Sequence, residues 1–304
     1  MTDELHVVTG AFGYTGKYIT RRLLAQGKRV MTLTGHPDRP HEFGDNVRAA
    51  PFNFDHPDAL VESLRGASVL VNTYWVRFNR AGATFDQAIA NTRTLFHAAK
   101  QAGVRRVVHV SIANPLEDSP LPYYKGKAQL ERSLIASGLS HAILRPTVIF
   151  GDEDILINNI AWLLRRFPVF GVPGRGDYQI QPIFVEDVAE LAADLAGKSE
   201  NIILDAVGPE IYTFDTMVRL IARTIRSRAR IVHVSPRLAL FLSQVVGVLV
   251  GDVVLTREEV DGLMTNLLAS SRPPAGRARL SEWLAVHART VGAKYASEVK
   301  RHYA

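Results

Sequence analysis

The chain has 304 residues, 47% of them hydrophobic and 22% charged, with a formal net charge of +6. That balance excludes a disordered or fibrous chain and leaves ample core for one large or two modest domains. The absence of cysteine excludes disulfides and thiolate metal sites.

The chain starts MTDELHVV, with neither a basic stretch nor a long apolar run, so no secretory leader is expected and the cytoplasm is the expected compartment. The apolar run Leu5–Thr9 then leads through TGAFGYTGKY into a helical pattern at 15–26, with Gly27 placed to end it. RVMTLT predicts a strand, followed by a turn rich in Pro and His and a helix that starts at Pro57 and stops at Gly66. VLVNTYW predicts a strand, 85–102 a helix stopped by Gly103, and RVVHVS another strand. The pattern at 123–137 predicts a helix closed by Gly138, and HAILRP a sixth strand. Near-continuous apolar strands separated by helices indicate a parallel sheet covered on both faces. A helix at 186–196 and the strand NIILD belong to the same sheet region.

The remainder is less regular. Residues 150–179 read as loop, 213–227 as a helix, and Thr256-Arg257-Glu258-Glu259 as a capping box. There is no internal repeat. The expected organisation is an α/β, Rossmann-type doubly wound parallel sheet from residues 1–150 plus about 181–208. A smaller, discontinuous C-terminal lobe would come from about 151–180 plus 209–304. Arg219, Arg223, Arg226, Arg228 and Arg230 form the densest charge cluster. Without interleaved aromatic residues it reads as a solvated helix face, and no nucleic-acid partner is expected. The segment 238–255, LALFLSQVVGVLVGDVVL, is apolar but broken by Ser243, Gln244, Gly247, Gly251 and Asp252. It reads as a buried or pocket-covering helix ahead of a membrane-surface or protein contact, and ahead of a membrane span.

A strand that ends in a glycine-rich turn and enters a helix aims backbone N–H groups and the positive end of the helix dipole at one spot, suited to a diphosphate. Gly10 serves the tight turn, Gly13 the close approach and Gly16 the packing of helix on strand, with Phe12, Tyr14 and Thr15 completing the site. The spacing is GxxGxxG rather than GxGxxG. The second strand ends Leu33-Thr34-Gly35-His36-Pro37-Asp38-Arg39, with no carboxylate at its tip to hold a ribose 2′-hydroxyl. His36 and Arg39 suit a 2′-phosphate, which favours NADP as the cofactor, while Asp38 in the same turn leaves NAD open.

Taken with FNFDHPDAL, ANTRTLFHAAKQAGVRRVVHVS, YYKGKAQLE, RPTVIFG and PIFVEDVA, the glycine turn resembles the short-chain dehydrogenase/reductase superfamily in its extended and atypical branches, over most of the chain. Within that group it looks closest to the NmrA-like proteins and the nucleotide-binding accessory subunit of respiratory complex I. The resemblance implies a nicotinamide cofactor and a substrate site under the C-terminal lobe. It also implies that Phe54 and Asp55 sit against the adenine, Asn72 and Thr73 beside the cofactor, and Pro146 and Thr147 at the nicotinamide.

Tyr123 and Lys127 stand four apart and share a helix face. A phenol is a poor base near neutrality, and a neighbouring ammonium favours its ionised form, so the pair suits proton transfer at a substrate oxygen while hydride moves at a nicotinamide. Tyr124 is an off-by-one competitor, and Glu131 occupies the family's glutamate position. Ser111, at the fifth strand's end, reads as satisfying backbone groups there ahead of a substrate contact; the family's usual Ser/Thr two residues on is Ala113, with Asn114 as a substitute. Ten histidines lack HxxxH spacing, so no metal site is expected. Asp152, Glu153 and Asp154 read as a solvated loop, and Trp162, Phe167 and Phe170 as core ahead of a cleft rim. Two functions are compatible with these residues: an NAD(P)-dependent reductase, dehydrogenase or epimerase acting on a small carbonyl, alcohol or sugar-like substrate, and a non-catalytic NAD(P)H-binding redox sensor or assembly subunit. The sequence leaves the substrate and a homo-oligomeric state open.

Overall fold

The computed structural model describes residues 4–79 and 82–299. The chain divides into two compact units, residues 1–146 with 185–205 and residues 147–184 with 206–304. The first unit alternates β1 (Leu5–Thr9), α1 (Tyr14–Ala25), β2 (Arg29–Thr34), β3 (Val47–Pro51), α2 (Pro57–Leu64), β4 (Ala67–Asn72), α3 (Phe85–Gln101), β5 (Arg106–Val110), α4 (Pro122–Ala136) and β6 (Ser140–Pro146). The second begins with β7 (Ile149–Phe150), α5 (Leu156–Arg166), β8 (Val169–Pro173), β9 (Gln179–Ile180) and β10 (Ile183–Phe184). The chain returns to the first unit for α6 (Val185–Ala196) and β11 (Ile202–Ala206). It ends with β12 (Tyr212–Thr213), α7 (Phe214–Thr224), β13 (Arg230–Val234), α8 (Pro236–Val250), α9 (Arg257–Leu263) and α10 (Leu280–Val286).

Seven strands form the main sheet in the order β11-β6-β5-β4-β1-β2-β3, and the pairings from β3 to β6 are all parallel. Helices cover both faces: α1 packs with α6 on one, and α2, α3 and α4 pack in series on the other. Both faces being covered explains the unbroken apolar strands, since Val7, Val8, Leu70, Val71, Val107 and Val108 are all buried. Helices α1 to α4 each end two residues before the glycine expected to stop them. The strand order reverses between β1 and β4, so their carboxyl ends open the crevice in which doubly wound sheets take ligands.

The second unit gathers short strand pairs, β7 with β10, β9 with β12, and β8 with β13, beside α5, α7 and α10. Four expectations change. The strand read as VLVNTYW ends at Asn72, because Thr73 and Tyr74 turn back to bond Thr9. The loop-rich stretch 150–179 holds a helix that was not expected: α5 places Ile157, Ile160, Ala161 and Leu164 in the core, an i, i+3, i+4, i+7 stripe. Asp154 is not solvated either. Its carboxylate is buried and accepts from the Ile157 amide (2.6 Å) and the Asn158 side chain (3.0 Å), and burial pushes its pKa up to about 7.

The fourth change concerns 238–255. Helix α8 ends at Val250 with Gly251 in the left-handed region, and only Ala239 and Gly247 of its residues are buried. It is therefore neither a buried helix nor, at its length, a span. No helix among the described residues is long and apolar enough to cross a membrane. The readings of Trp162, Phe167 and Phe170 as packing residues hold: Phe170 is core, and Trp162 lies against Phe167 and Tyr295.

Candidate functional site

The first unit builds its site from the carboxyl end of β1. Gly10 turns the chain with φ +66°, and its amide donates to Leu33 O (2.8 Å). The Gly13 amide closes the turn on Gly10 O (2.9 Å). Gly13 itself has an ordinary extended backbone (φ −84°, ψ 177°), so glycine is not required there by conformation. At Gly16 the requirement is contact: a Cβ would lie 2.2 Å from Gly10 O, so the first turn of α1 can press on the glycine loop only without a side chain. Gly13 gives α1 no side-chain cap and no acid stands in the first turn, so the positive end of the helix meets no carboxylate of its own. Phe12, Tyr14 and Thr15 are half-buried along this turn.

A hydroxyl and amide clamp joins β1, β4 and β5. Thr9 Oγ1 donates to Asn72 Oδ1 (2.9 Å) and accepts from the Thr73 (2.7 Å) and Tyr74 (3.0 Å) amides, while Thr73 Oγ1 donates to Thr9 O. Asn72 Nδ2 meets His109 Nδ1 at 3.0 Å. Thr73 thus stays at the switch point, 3.5 Å from where a Gly10 Cβ would be, whereas the buried Asn72 side chain is committed to protein partners. Thr9 and His109 escaped the sequence reading; the signal was polar residues at the ends of otherwise apolar strands.

On the β2 side, the exposed His36 and half-buried Arg39 occupy the turn after the strand, tied by the Arg39 amide to His36 O (3.2 Å). His41 stacks on Phe12 (4.0 Å between centroids, 10° between planes), which brings this loop back onto the glycine turn. Phe54 stacks on Phe52 and both abut Tyr74, an aromatic trio past the ends of β3 and β4, and Asp55 is exposed beside it.

Helix α4 carries the second part of the site. Lys127 is buried, and its Nζ donates to Val110 O (3.0 Å) and lies 4.5 Å from the centre of the Trp75 ring. Burial pulls the ammonium down to about 7, against the attraction of the Glu131 carboxylate. Glu131 holds Arg145 in a two-pronged ion pair. Tyr123 packs edge-on against Trp75 (5.6 Å) and Phe85 (5.8 Å). It is half-buried, whereas Tyr124 is buried and its hydroxyl is pushed well above the ordinary phenol range. Of the two, Tyr123 is the one with access to a substrate. Trp75, which links Tyr123 to Lys127, is placed by the sequence at the end of a strand and lies instead in the irregular stretch after β4.

Beside this pair, Ser111 Oγ, Trp75 Nε1 and His109 Nε2 are buried without a hydrogen-bond partner. A buried orphaned hydroxyl next to a buried ammonium is the pattern a polar ligand would complete. Ala113 is buried, and its amide donates to Pro146 O (2.8 Å). Thr147 belongs to the second unit, where its hydroxyl donates to Gln181 O. The uncapped helix start, the glycine contact and the ammonium–hydroxyl pair together fit a nicotinamide dinucleotide.

Known proteins agree. The NAD(P)H-binding family model matches residues 10–160. A ketoreductase of Stigmatella aurantiaca, acting on a 3-oxo-dihydroquinoline-1-oxide, is 30% identical over 242 residues, covering 69% of this chain and 71% of its own. The chain belongs to the NAD(P)H-binding family. Two further proteins extend the comparison. The mitochondrial NADH dehydrogenase (ubiquinone) 1 alpha subcomplex subunit 9 of Arabidopsis thaliana is 26% identical over 237 residues, 74% of this chain. The chain spans about three fifths of that relative's length, 59%. Among solved structures, the NADPH-dependent quinone oxidoreductase of Escherichia coli, complexed with NADPH, shares the fold with a TM-score of 0.76. It is 18% identical, and the match covers 92% of this chain and 99% of that one.

Proposed function

We propose that the protein is an NADP-dependent reductase of carbonyl substrates, with Tyr123 as the proton donor. The observation that carries this reading is the placing of Tyr123 and Lys127 against one indole, with Ser111 Oγ unpaired beside them. A reduced nicotinamide, held at the glycine turn and by Lys127, would supply the hydride for the carbonyl carbon. The Tyr123 hydroxyl donates its proton to the carbonyl oxygen, and Lys127, recharged by the anionic dinucleotide, stabilises the phenolate left behind. Ser111 donates to the same oxygen. The flanking rings of Trp75, Phe85 and Tyr123 suit a flat aromatic carbonyl, and the names of the ketoreductase and quinone oxidoreductase relatives make quinone-like compounds the first class to test. The absence of a carboxylate at the tip of β2, with Arg39 in the turn, supports NADPH over NADH.

The second reading is a dinucleotide-binding subunit without turnover. It is favoured by Ala113, a buried methyl where the superfamily usually has a hydroxyl, and by the complex I subunit among the relatives. Steady-state NADPH oxidation across a quinone and ketone panel separates the two. The reductase reading expects turnover that falls about 10²–10⁴-fold in Tyr123→Phe with NADPH affinity unchanged. Binding of NADPH without oxidation by any of the panel would assign the second reading.

A further inference from the structure

Helix α8 is turned inside out. Its small residues Ala239, Ser243 and Gly247, spaced four apart, face its own unit: Ala239 and Gly247 are buried, and a Cβ on Gly247 would lie 2.6 Å from Asp252 O. Its bulky residues face outward, with Phe241 59%, Leu249 72% and Val248 84% exposed. The register of β8 with β13 pairs Val169 with Arg230 and Gly171 with Val232, so these four share one face of the two-stranded sheet. A Cβ on Gly171 would meet Leu242 of α8, so this face is the one that carries the helix. Val169 and Val232 are exposed on it too, which makes the apolar patch continuous from sheet to helix. A patch of this kind marks an interaction site rather than ordinary surface.

Charge selects the occupant. Between residues 213 and 251 there are six arginines and one carboxylate, Asp215, which Arg219 and His233 occupy. Of the rest, Arg230 lies on the α8 face of the sheet and Arg237 in the first turn of α8, and Arg223, Arg226 and Arg228 are likewise exposed. An uncharged apolar ridge flanked by Arg230 and Arg237, for which no acidic partner appears among the described residues, complements an anionic lipid surface, with side chains in the acyl boundary and guanidinium groups at the phosphates. At 15 residues, about 22 Å, the helix is too short to span and fits lying in the plane.

We infer that α8 and the arginine-bearing edge of β13 dock the protein on an anionic membrane surface, where an apolar, quinone-like substrate would be met. The docking itself does not depend on the reductase reading. Co-sedimentation of the full chain with phosphatidylcholine vesicles, with and without phosphatidylglycerol, tests it. The wild type should pellet with the anionic vesicles and at least tenfold less with pure phosphatidylcholine. The exposed double substitution Phe241→Glu with Leu249→Glu should abolish pelleting while leaving NADPH affinity and Tm unchanged. Arg228→Gln with Arg230→Gln should weaken anionic binding by roughly fivefold per charge. Failure to pellet with either vesicle would overturn the inference. So would a solution dimer that the glutamate pair dissociates, since the patch would then belong to a second copy of the chain.

Discussion

Helices α1 and α8 use small residues for the same purpose and expose opposite things. In α1, Gly16 lets the helix start press on the Gly10 carbonyl, and Gly13 supplies that start with no side-chain cap. In α8, Ala239 and Gly247 bring the helix close to its own unit, but Ser235 caps the start by accepting from the Leu238 amide (3.3 Å), and the exposed part is a ridge of large apolar side chains. One helix therefore leaves its positive end without a side-chain cap or a first-turn acid, the other offers apolar area to a surface. Small residues at four-residue spacing or in a glycine turn say only that backbones approach closely; the cap and the opposite face decide what the helix is for.

The sharpest way to break this contrast is Gly16→Val. Its side chain has no room beside Gly10 O, so the turn must open. We expect dinucleotide binding to be lost and stability to drop by about 1–3 kcal/mol, read by calorimetry and denaturant unfolding. A variant that still binds NADPH tightly would show that the close contact is dispensable.

A smaller effect is expected from Lys127→Met. The buried ammonium is depressed to about 7 in the fold and returns to its ordinary value of 10.5 on unfolding. Between those values the unfolded chain holds a proton the folded chain lacks, so this group makes stability rise with pH, by at most about 1.4 kcal/mol per unit. Relative to the methionine variant, the wild type should gain stability from pH 7 to pH 10. A pH-independent difference between the two would contradict the buried, neutralised lysine. The smallest effect belongs to α8: single glutamates at Phe241 or Val248 should shift unfolding by no more than about 0.5 kcal/mol, because both side chains are largely exposed.

Much of the first unit was legible because its signals are local. Apolar strands, glycine stops and the GxxGxxG turn each report on a few adjacent residues, and β1, α1 and α4 fall within a residue or two of their expected bounds. What escaped was set by distant partners. Trp75 matters through Lys127 and Tyr123, and Asn72 turns inward because Thr9 and His109 claim its amide. The helix α5 was hidden by flanking charges although its apolar stripe was present. For α8, hydropathy gave an apolar helix correctly but could not say which face its neighbours cover, and the small residues rather than the large ones turned out to face inward.

The most direct test of the central claim, that the uncapped start of α1 takes the dinucleotide diphosphate, is titration calorimetry of NADPH into the wild type and Gly13→Asp. The extended backbone at residue 13 accepts aspartate, whose carboxylate would cap the helix and place a negative charge where the phosphates belong. The account predicts one-site binding to the wild type and none to a variant that is as stable or more so. No heat with the wild type, or equal affinity in the two proteins, would contradict it.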